Sequence, residues 1–165
     1  MTEKMLNVLV LCTGNSARSI VGEAVFNHLG QGRIRAYSAG SQPTGRPNPA
    51  AIARLMEAGI DTSAFRSKSW DEFAGAGAPQ MDMVITVCSS AAGEACPVWP
   101  GAPVRAHWGY PDPAHIPDPA EKAAAFDALY KDFSGRVAEL LSHPLEGMSA
   151  TERRDLLVKL APVEG

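Results

Sequence analysis

Met5-Leu6-Asn7-Val8-Leu9-Val10-Leu11-Cys12-Thr13-Gly14-Asn15-Ser16-Ala17-Arg18-Ser19 decides how this chain folds. Met5 to Leu11 is a run of Met, Leu and Val broken only by Asn7, too short for a helix of ordinary length. Such a run reads as a strand buried on both faces, the mark of a parallel sheet covered by helices. Beyond Ser19, residues Ile20, Val21, Ala24, Val25, His28 and Leu29 recur at helical spacing, and Gly30 and Gly32 stop the pattern. His28 is therefore expected on the buried stripe of this helix. Cys12 to Ser19 is the turn between strand and helix.

Outward from that unit the same alternation continues. Arg33 to Ser38 reads as a second strand ending at Ala39-Gly40. Asn48-Pro49 starts a helix, with Asn as cap and Pro in the first turn, Ile52, Leu55 and Met56 as its buried stripe, and Gly59 as terminator. Met83 to Val87 and, more weakly, Val104 to Trp108 read as further strands. Phe126, Leu129, Tyr130, Phe133, Val137, Leu140 and Leu141 then line one face of a long helix. Ser149 and Glu152 form a capping box for a short last helix, whose Glu152 to Asp155 run faces solvent. Strands alternating with helices imply an α/β fold with a parallel sheet, whose loops at the strand ends are where active sites form.

With 165 residues the chain is one domain's worth, and 45% hydrophobic against 20% charged residues excludes disorder and a coiled coil. A net charge of −3 offers no general attraction for nucleic acid. No apolar run approaches the roughly 18 residues of a membrane span. The strand-like run begins almost at once, which leaves no room for a secretory leader, so a cytoplasmic protein is expected. Three cysteines, Cys12, Cys88 and Cys96, cannot all pair with one another. They also lack the four closely spaced Cys or His ligands that structural zinc requires. Free cysteines are often no more than small buried hydrophobes, so their neighbours must decide.

Cys12 keeps informative company. A loop leading from a buried strand into a helix gathers backbone N–H groups and the positive end of the helix dipole into an anion cradle. Thr13, Gly14, Asn15, Ser16, Ala17, Arg18 and Ser19 are the residues expected around the anion. Gly14 permits unusual backbone angles, and the Arg18 fork can grip a tetrahedral oxyanion. The same positive surroundings favour the thiolate of Cys12, the nucleophilic form, and the Ser19 hydroxyl can donate to it.

The segment Cys12–Ser19 resembles the low-molecular-weight protein tyrosine phosphatase superfamily, and more narrowly its arsenate reductase branch. The resemblance takes in Tyr37-Ser38-Ala39-Gly40, Asn48-Pro49, Gly59-Ile60-Asp61, Val87-Cys88, Cys96-Pro97, His107-Trp108-Gly109 and Asp112-Pro113-Ala114. It implies a three-layer α/β fold, a four-stranded parallel sheet flanked by helices. Residues 1–147 would form the phosphatase-like domain and 148–165 a C-terminal helical extension of it. It also implies that Cys12 is the nucleophile, Arg18 the anion grip and Asp112 the general acid. Trp108 is expected to pack down the loop that carries Asp112.

Two features favour the reductase branch. Ala114 stands where the phosphatases usually place an aromatic residue, which suits a small inorganic substrate, and Ala17 stands where they commonly carry a second loop cysteine. Hydrolysis has no use for Cys88 and Cys96, whereas reduction needs two electrons that thiol–disulfide exchange supplies. By resemblance, Cys12 attacks arsenate, Cys88 attacks the adduct, and Cys96 resolves the disulfide for thioredoxin or a low-molecular-weight thiol, with no bound cofactor. Phosphate is the expected competitor. A tyrosine phosphatase and a non-enzymatic redox sensor remain the alternatives.

Seven residues separate Cys88 from Cys96, one more than the resemblance leads one to expect. Some reductases of this fold bind potassium beside the loop. Asn15, Glu23 and Ser38 match that site, but Lys68 replaces the expected aspartate. The expectation is that the Lys68 ammonium takes the cation's place and pairs with Glu23, with no metal bound.

Overall fold

The computed structural model describes residues 5–73, 77–87, 103–111 and 113–162. Its elements are β1 (Leu6–Cys12), α1 (Arg18–Leu29), β2 (Ile34–Gly40), α2 (Pro49–Glu57), β3 (Met83–Thr86), β4 (Val104–His107), α3 (Pro119–Leu141) and α4 (Ala150–Leu160). The strands form one parallel sheet in the order β2-β1-β3-β4. From β1 the chain first crosses to one side, to β2, and later returns to the other side, to β3. That reversal opens a crevice at the carboxyl end of β1, where open α/β sheets bind ligands.

The Leu/Val run explains why β1 is central. Val8, Leu9, Val10 and Leu11 are fully buried, and successive side chains enter opposite faces. Val8, Val10 and Cys12 join α1, α3 and α4 in the larger core around Phe26, Trp108 and Phe133. Leu9 and Leu11 meet Trp70, Phe73 and Met81 on the other face. The strand runs one residue further than its apolar run, because Cys12 still pairs with Gly40. Likewise β2 extends through Ala39-Gly40 rather than ending before them.

Three expected core positions are corrected. His28 is exposed, since Phe26, about 200° away around the helix, takes the inward direction, and Leu29 in the last turn is exposed with it. Met56 is also exposed, because α2 turns Ala51 and Leu55 toward α1 and α3 instead. The helix starts agree with their chemistry. The side chain of Asn48 accepts from the Ala50 N–H, and Ser149 and Glu152 complete a reciprocal capping box. Among the described residues no helix is long and apolar enough to cross a membrane.

Helix α1 lies close on the sheet because residue 22 is glycine. A methyl group there would approach Val10 Cγ1 to 2.8 Å and Phe133 Cζ to 3.1 Å. Gly22→Ala sets a helix-propensity gain of about 1 kcal/mol against an overpacking cost of about 1–3 kcal/mol. The expected result is a net loss of about 1 kcal/mol in a urea titration; a more stable variant would show that α1 can move away freely.

Candidate active site

The loop between β1 and α1 is wound so that its carbonyls face outward. Gln42 N–H donates to the Thr13 carbonyl at 2.9 Å, Thr44 N–H to Gly14 at 3.0 Å, and Asn48 N–H to Ser16 at 2.7 Å. The Ser67 hydroxyl gives the Gly14 carbonyl a second bond at 3.0 Å. In a trans peptide the N–H points opposite to the C=O, so the amides of Gly14, Asn15 and Ala17 turn toward the inside of the loop. An inward ring of amides beside a helix N-terminus is an anion nest. Gly40 makes the winding possible: a Cβ there would run into the carbonyls of Cys12 and Thr13 and the Asn15 nitrogen.

Asn15 organises the interior. It adopts φ 45°, a left-handed conformation that Asn tolerates better than most residues. Its backbone N–H donates to Cys12 Sγ at 3.2 Å. Its side-chain Nδ2 donates to Ser19 Oγ at 2.8 Å and to Ser38 Oγ at 2.9 Å. Its Oδ1 accepts from the Lys68 backbone N–H at 2.8 Å, which fixes the direction of the amide. Ser19 Oγ, which accepts from Asn15, also lies 2.9 Å from Cys12 Sγ, within hydrogen-bond reach of the sulfur. The sulfur is almost fully buried, with the Asn15 N–H donating to it and the Ser19 hydroxyl beside it.

Behind the loop lies a buried charge pair. Ser38 donates to Glu23 Oε1 at 2.5 Å, and the Lys68 ammonium stands 3.9 Å from the same oxygen while donating to the Arg66 carbonyl at 3.0 Å. The two side chains are only 8% and 16% exposed, so neither charge is well hydrated. Burial pushes the Glu23 carboxyl up, opposed by the Ser38 bond and by Lys68 and Arg66. Burial likewise pushes the Lys68 ammonium down, opposed by Glu23. Arg66 is itself engaged by Glu72 at 2.6 Å.

Arg18 opens α1, and its Nη1 donates to the Tyr110 carbonyl at 2.8 Å. Of the residues expected to carry chemistry, Cys12, Asn15, Arg18, Ser19, Glu23, Ser38 and Lys68 are brought into one cluster around the loop. Thr13, Gly14, Ser16 and Ala17 form its wall. Cys88, Cys96 and Asp112 lie outside the described residues. Val87 and Tyr110 meet at this edge of the sheet: Val87 N–H donates to the Leu11 carbonyl at 2.9 Å, and Tyr110 N–H to the Val87 carbonyl at 3.1 Å. Among the described residues no cluster of three or more His, Cys, Asp or Glu could hold a metal ion. Trp108 is fully buried in the main core, against Phe26 and Phe133. Gln42, Thr44, Ser67 and Tyr110 were not legible as site residues, because each acts through its backbone or through a distant contact. Only the glycine pair Gly14 and Gly40 hinted at how closely the loop is approached.

Removing one member of the charge pair gives a prediction. In Lys68→Met the Glu23 carboxylate stays buried without its partner, and stability should fall by about 3 kcal/mol. Since Glu23 already holds its proton to higher pH in the folded state than in the unfolded chain, its contribution is fullest at low pH and is lost as pH rises through the raised value. The deficit of Lys68→Met should therefore be smaller at pH 5 than at pH 8 in urea titrations. Adding Glu23→Gln should recover most of it. A deficit that does not change with pH would mean the pair is solvated.

The sequence and fold have known counterparts. The family model described as low molecular weight phosphotyrosine protein phosphatase matches residues 7–150. An arsenate reductase of Bacillus licheniformis is 40% identical over 133 residues, covering 78% of this chain and 88% of that protein. A solved structure of an arsenate reductase in the phosphate binding state is similar with a TM-score of 0.64 and 28% identity, covering 84% of this chain and 98% of the other. The thioredoxin-dependent arsenate reductase of Corynebacterium glutamicum shares the fold, with a TM-score of 0.61 at 23% identity. The match covers 86% of this chain but only 63% of that larger one.

Proposed function

Because the chain belongs to the low molecular weight phosphotyrosine protein phosphatase family, we propose that it reduces arsenate to arsenite with Cys12 as nucleophile. The observation that carries this reading is the buried Cys12 sulfur, with the Asn15 N–H donating to it and the Ser19 hydroxyl 2.9 Å away, inside a loop whose amides turn inward beside Arg18. A tetrahedral oxyanion fits that positive cup, where it would meet both the nucleophile and the guanidinium.

In the first step Cys12 forms an S–As bond, and the departing oxygen leaves as water after taking a proton from Asp112. The Cys88 thiolate then attacks the Cys12 sulfur. An S–S bond forms, the S–As electron pair passes to arsenic, and arsenic(V) leaves as arsenite. Cys96 next attacks the Cys88 sulfur and frees Cys12 as thiolate. The Cys88–Cys96 disulfide finally takes two electrons from a dithiol, with thioredoxin as the donor of choice and a low-molecular-weight thiol as the other. Such a relay suits a compartment where thiols are kept reduced, which supports a cytoplasmic location. Ala114, too small to build one wall of an aryl slot, and the two extra cysteines favour this over phosphotyrosine hydrolysis. Phosphate, with the charge and shape of arsenate, binds the same cup as a competitor.

The test is thioredoxin-coupled NADPH oxidation with arsenate. Cys88→Ser and Cys96→Ser should each abolish multiple turnover, and Arg18→Lys should lower kcat/KM by about 100-fold, since an ammonium cannot reproduce a bidentate grip. Full multiple-turnover activity in both cysteine variants would end the relay. Hydrolysis of an aryl phosphate without arsenate turnover would make the protein a phosphatase, and inactivity toward both would leave a redox sensor.

We further propose that the Lys68 ammonium does the work of the potassium ion found beside this loop in some reductases of the fold. Asn15 donates to Ser38 and Ser38 to Glu23, and the ammonium faces Glu23. Potassium placed there would meet a positive charge instead of an aspartate, so the residues present do not suit the ion. Activity should accordingly be indifferent to potassium, whereas Lys68→Asp should become strongly dependent on it. Potassium stimulation of the unmodified protein would overturn this.

A further inference from the structure

The family match ends at residue 150, where α4 begins, yet that helix is firmly part of the molecule. Leu157 is fully buried and Leu156 nearly so, both within the main core. The last carbonyls of a helix have no partner inside it and must find one elsewhere. In α4 two of them are taken by side chains from the body of the domain. The Trp108 indole N–H donates to the Leu157 carbonyl at 2.8 Å, and Arg136 Nη1 to the Leu160 carbonyl at 2.7 Å.

Arg136 continues the connection. Its Nε donates to Asp132 Oδ2 at 2.8 Å, and the Tyr110 hydroxyl donates to the same oxygen at 2.8 Å. Burial, together with the neighbouring Asp132 carboxylate, pushes the Tyr110 hydroxyl up, so it remains a donor at any working pH. The Tyr110 ring packs 5.7 Å from Phe133, and its own carbonyl receives Arg18 Nη1. An uninterrupted set of bonds thus runs from the C-terminal helix through Arg136, Asp132 and Tyr110 to Arg18.

We propose that Tyr110 is a positioning residue for Arg18 and that α4, lying beyond the family segment, is the element that holds it in place. The inference rests on the reading of Arg18 as the oxyanion grip. A guanidinium on a long side chain has many rotamers, and one carbonyl acceptor selects among them only if that carbonyl is itself fixed. Tyr110 is fixed at three points: its N–H on Val87, its ring on Phe133, and its hydroxyl on the Asp132–Arg136 pair. Movement of α4 would therefore be felt as a change in anion affinity.

The test uses the full chain and inorganic phosphate as the probe, with affinity measured by titration calorimetry beside a urea titration of each variant. Tyr110→Phe keeps the ring and the carbonyl but removes the bond to Asp132. Arg136→Gln removes the link to α4. Each should weaken phosphate binding by about 2- to 10-fold, the loss of one hydrogen bond. The double variant should lose no more than the worse single one, because both cut the same connection. Asp132→Asn, which keeps an acceptor for the tyrosine, should fall between the unmodified protein and Tyr110→Phe. Unchanged phosphate affinity accompanied by lower stability would reduce the connection to a structural role and overturn the proposal. Losses that multiply in the double variant would overturn it too. Since the readout is phosphate affinity, failure of arsenate turnover would bear on the activity alone.

Discussion

One side-chain amide sets the order on which the rest of the site depends. Asn15 has two donors and an acceptor on its side chain and a donor on its backbone, and each is assigned a partner. Its Oδ1 is satisfied by the Lys68 N–H, so its Nδ2 must face Ser19 and Ser38. Ser19, held by that bond, keeps its hydroxyl 2.9 Å from the nucleophile's sulfur, without any group in the set needing to carry a formal charge.

Charge enters one layer further out, and its distance from the sulfur matters. Glu23 and Lys68 are both pushed toward their neutral forms by burial, so the pair opposes rather than assists the stability of the fold. It keeps Ser38 donating outward, and so keeps Asn15 donating to Ser38. The positive side chain at the start of α1 is Arg18, tied to the segment after β4. A chain of net charge −3 can hold an anion because its positive potential is local: inward amides, a helix N-terminus and one guanidinium.

Much of this was legible in the residue order. The unbroken run Val8 to Leu11 reads as a doubly buried strand, and the loop after it reads as a phosphate-type turn because Cys12, Gly14, Arg18 and Ser19 fall between that strand and a helix. The caps at Asn48 and Ser149 were readable because capping is local chemistry. His28 and Met56 misled because helical spacing identifies a stripe but not which edge of it turns inward; Phe26 and Ala51 decided that by packing. Tyr110, Asp132, Arg136 and Leu160 carry no joint signal, since helix α3 must fold back before any of them meet. Lys68 was noticed only as a departure from a resemblance, and its burial is a property of the loop that encloses it.

The grip on Asn15 also bears on how the protein ages. Asparagine followed by serine is a sequence in which the next backbone nitrogen readily attacks the side-chain carbonyl and expels ammonia, leaving a carboxylate. Here the side chain is held at both ends and has no exposure. The swing that brings nitrogen to carbonyl would break three bonds at once. The residue whose slow hydrolysis would set a negative charge beside the Cys12 sulfur is thus the one asparagine the fold buries completely, and loss of function with time should begin elsewhere in the chain.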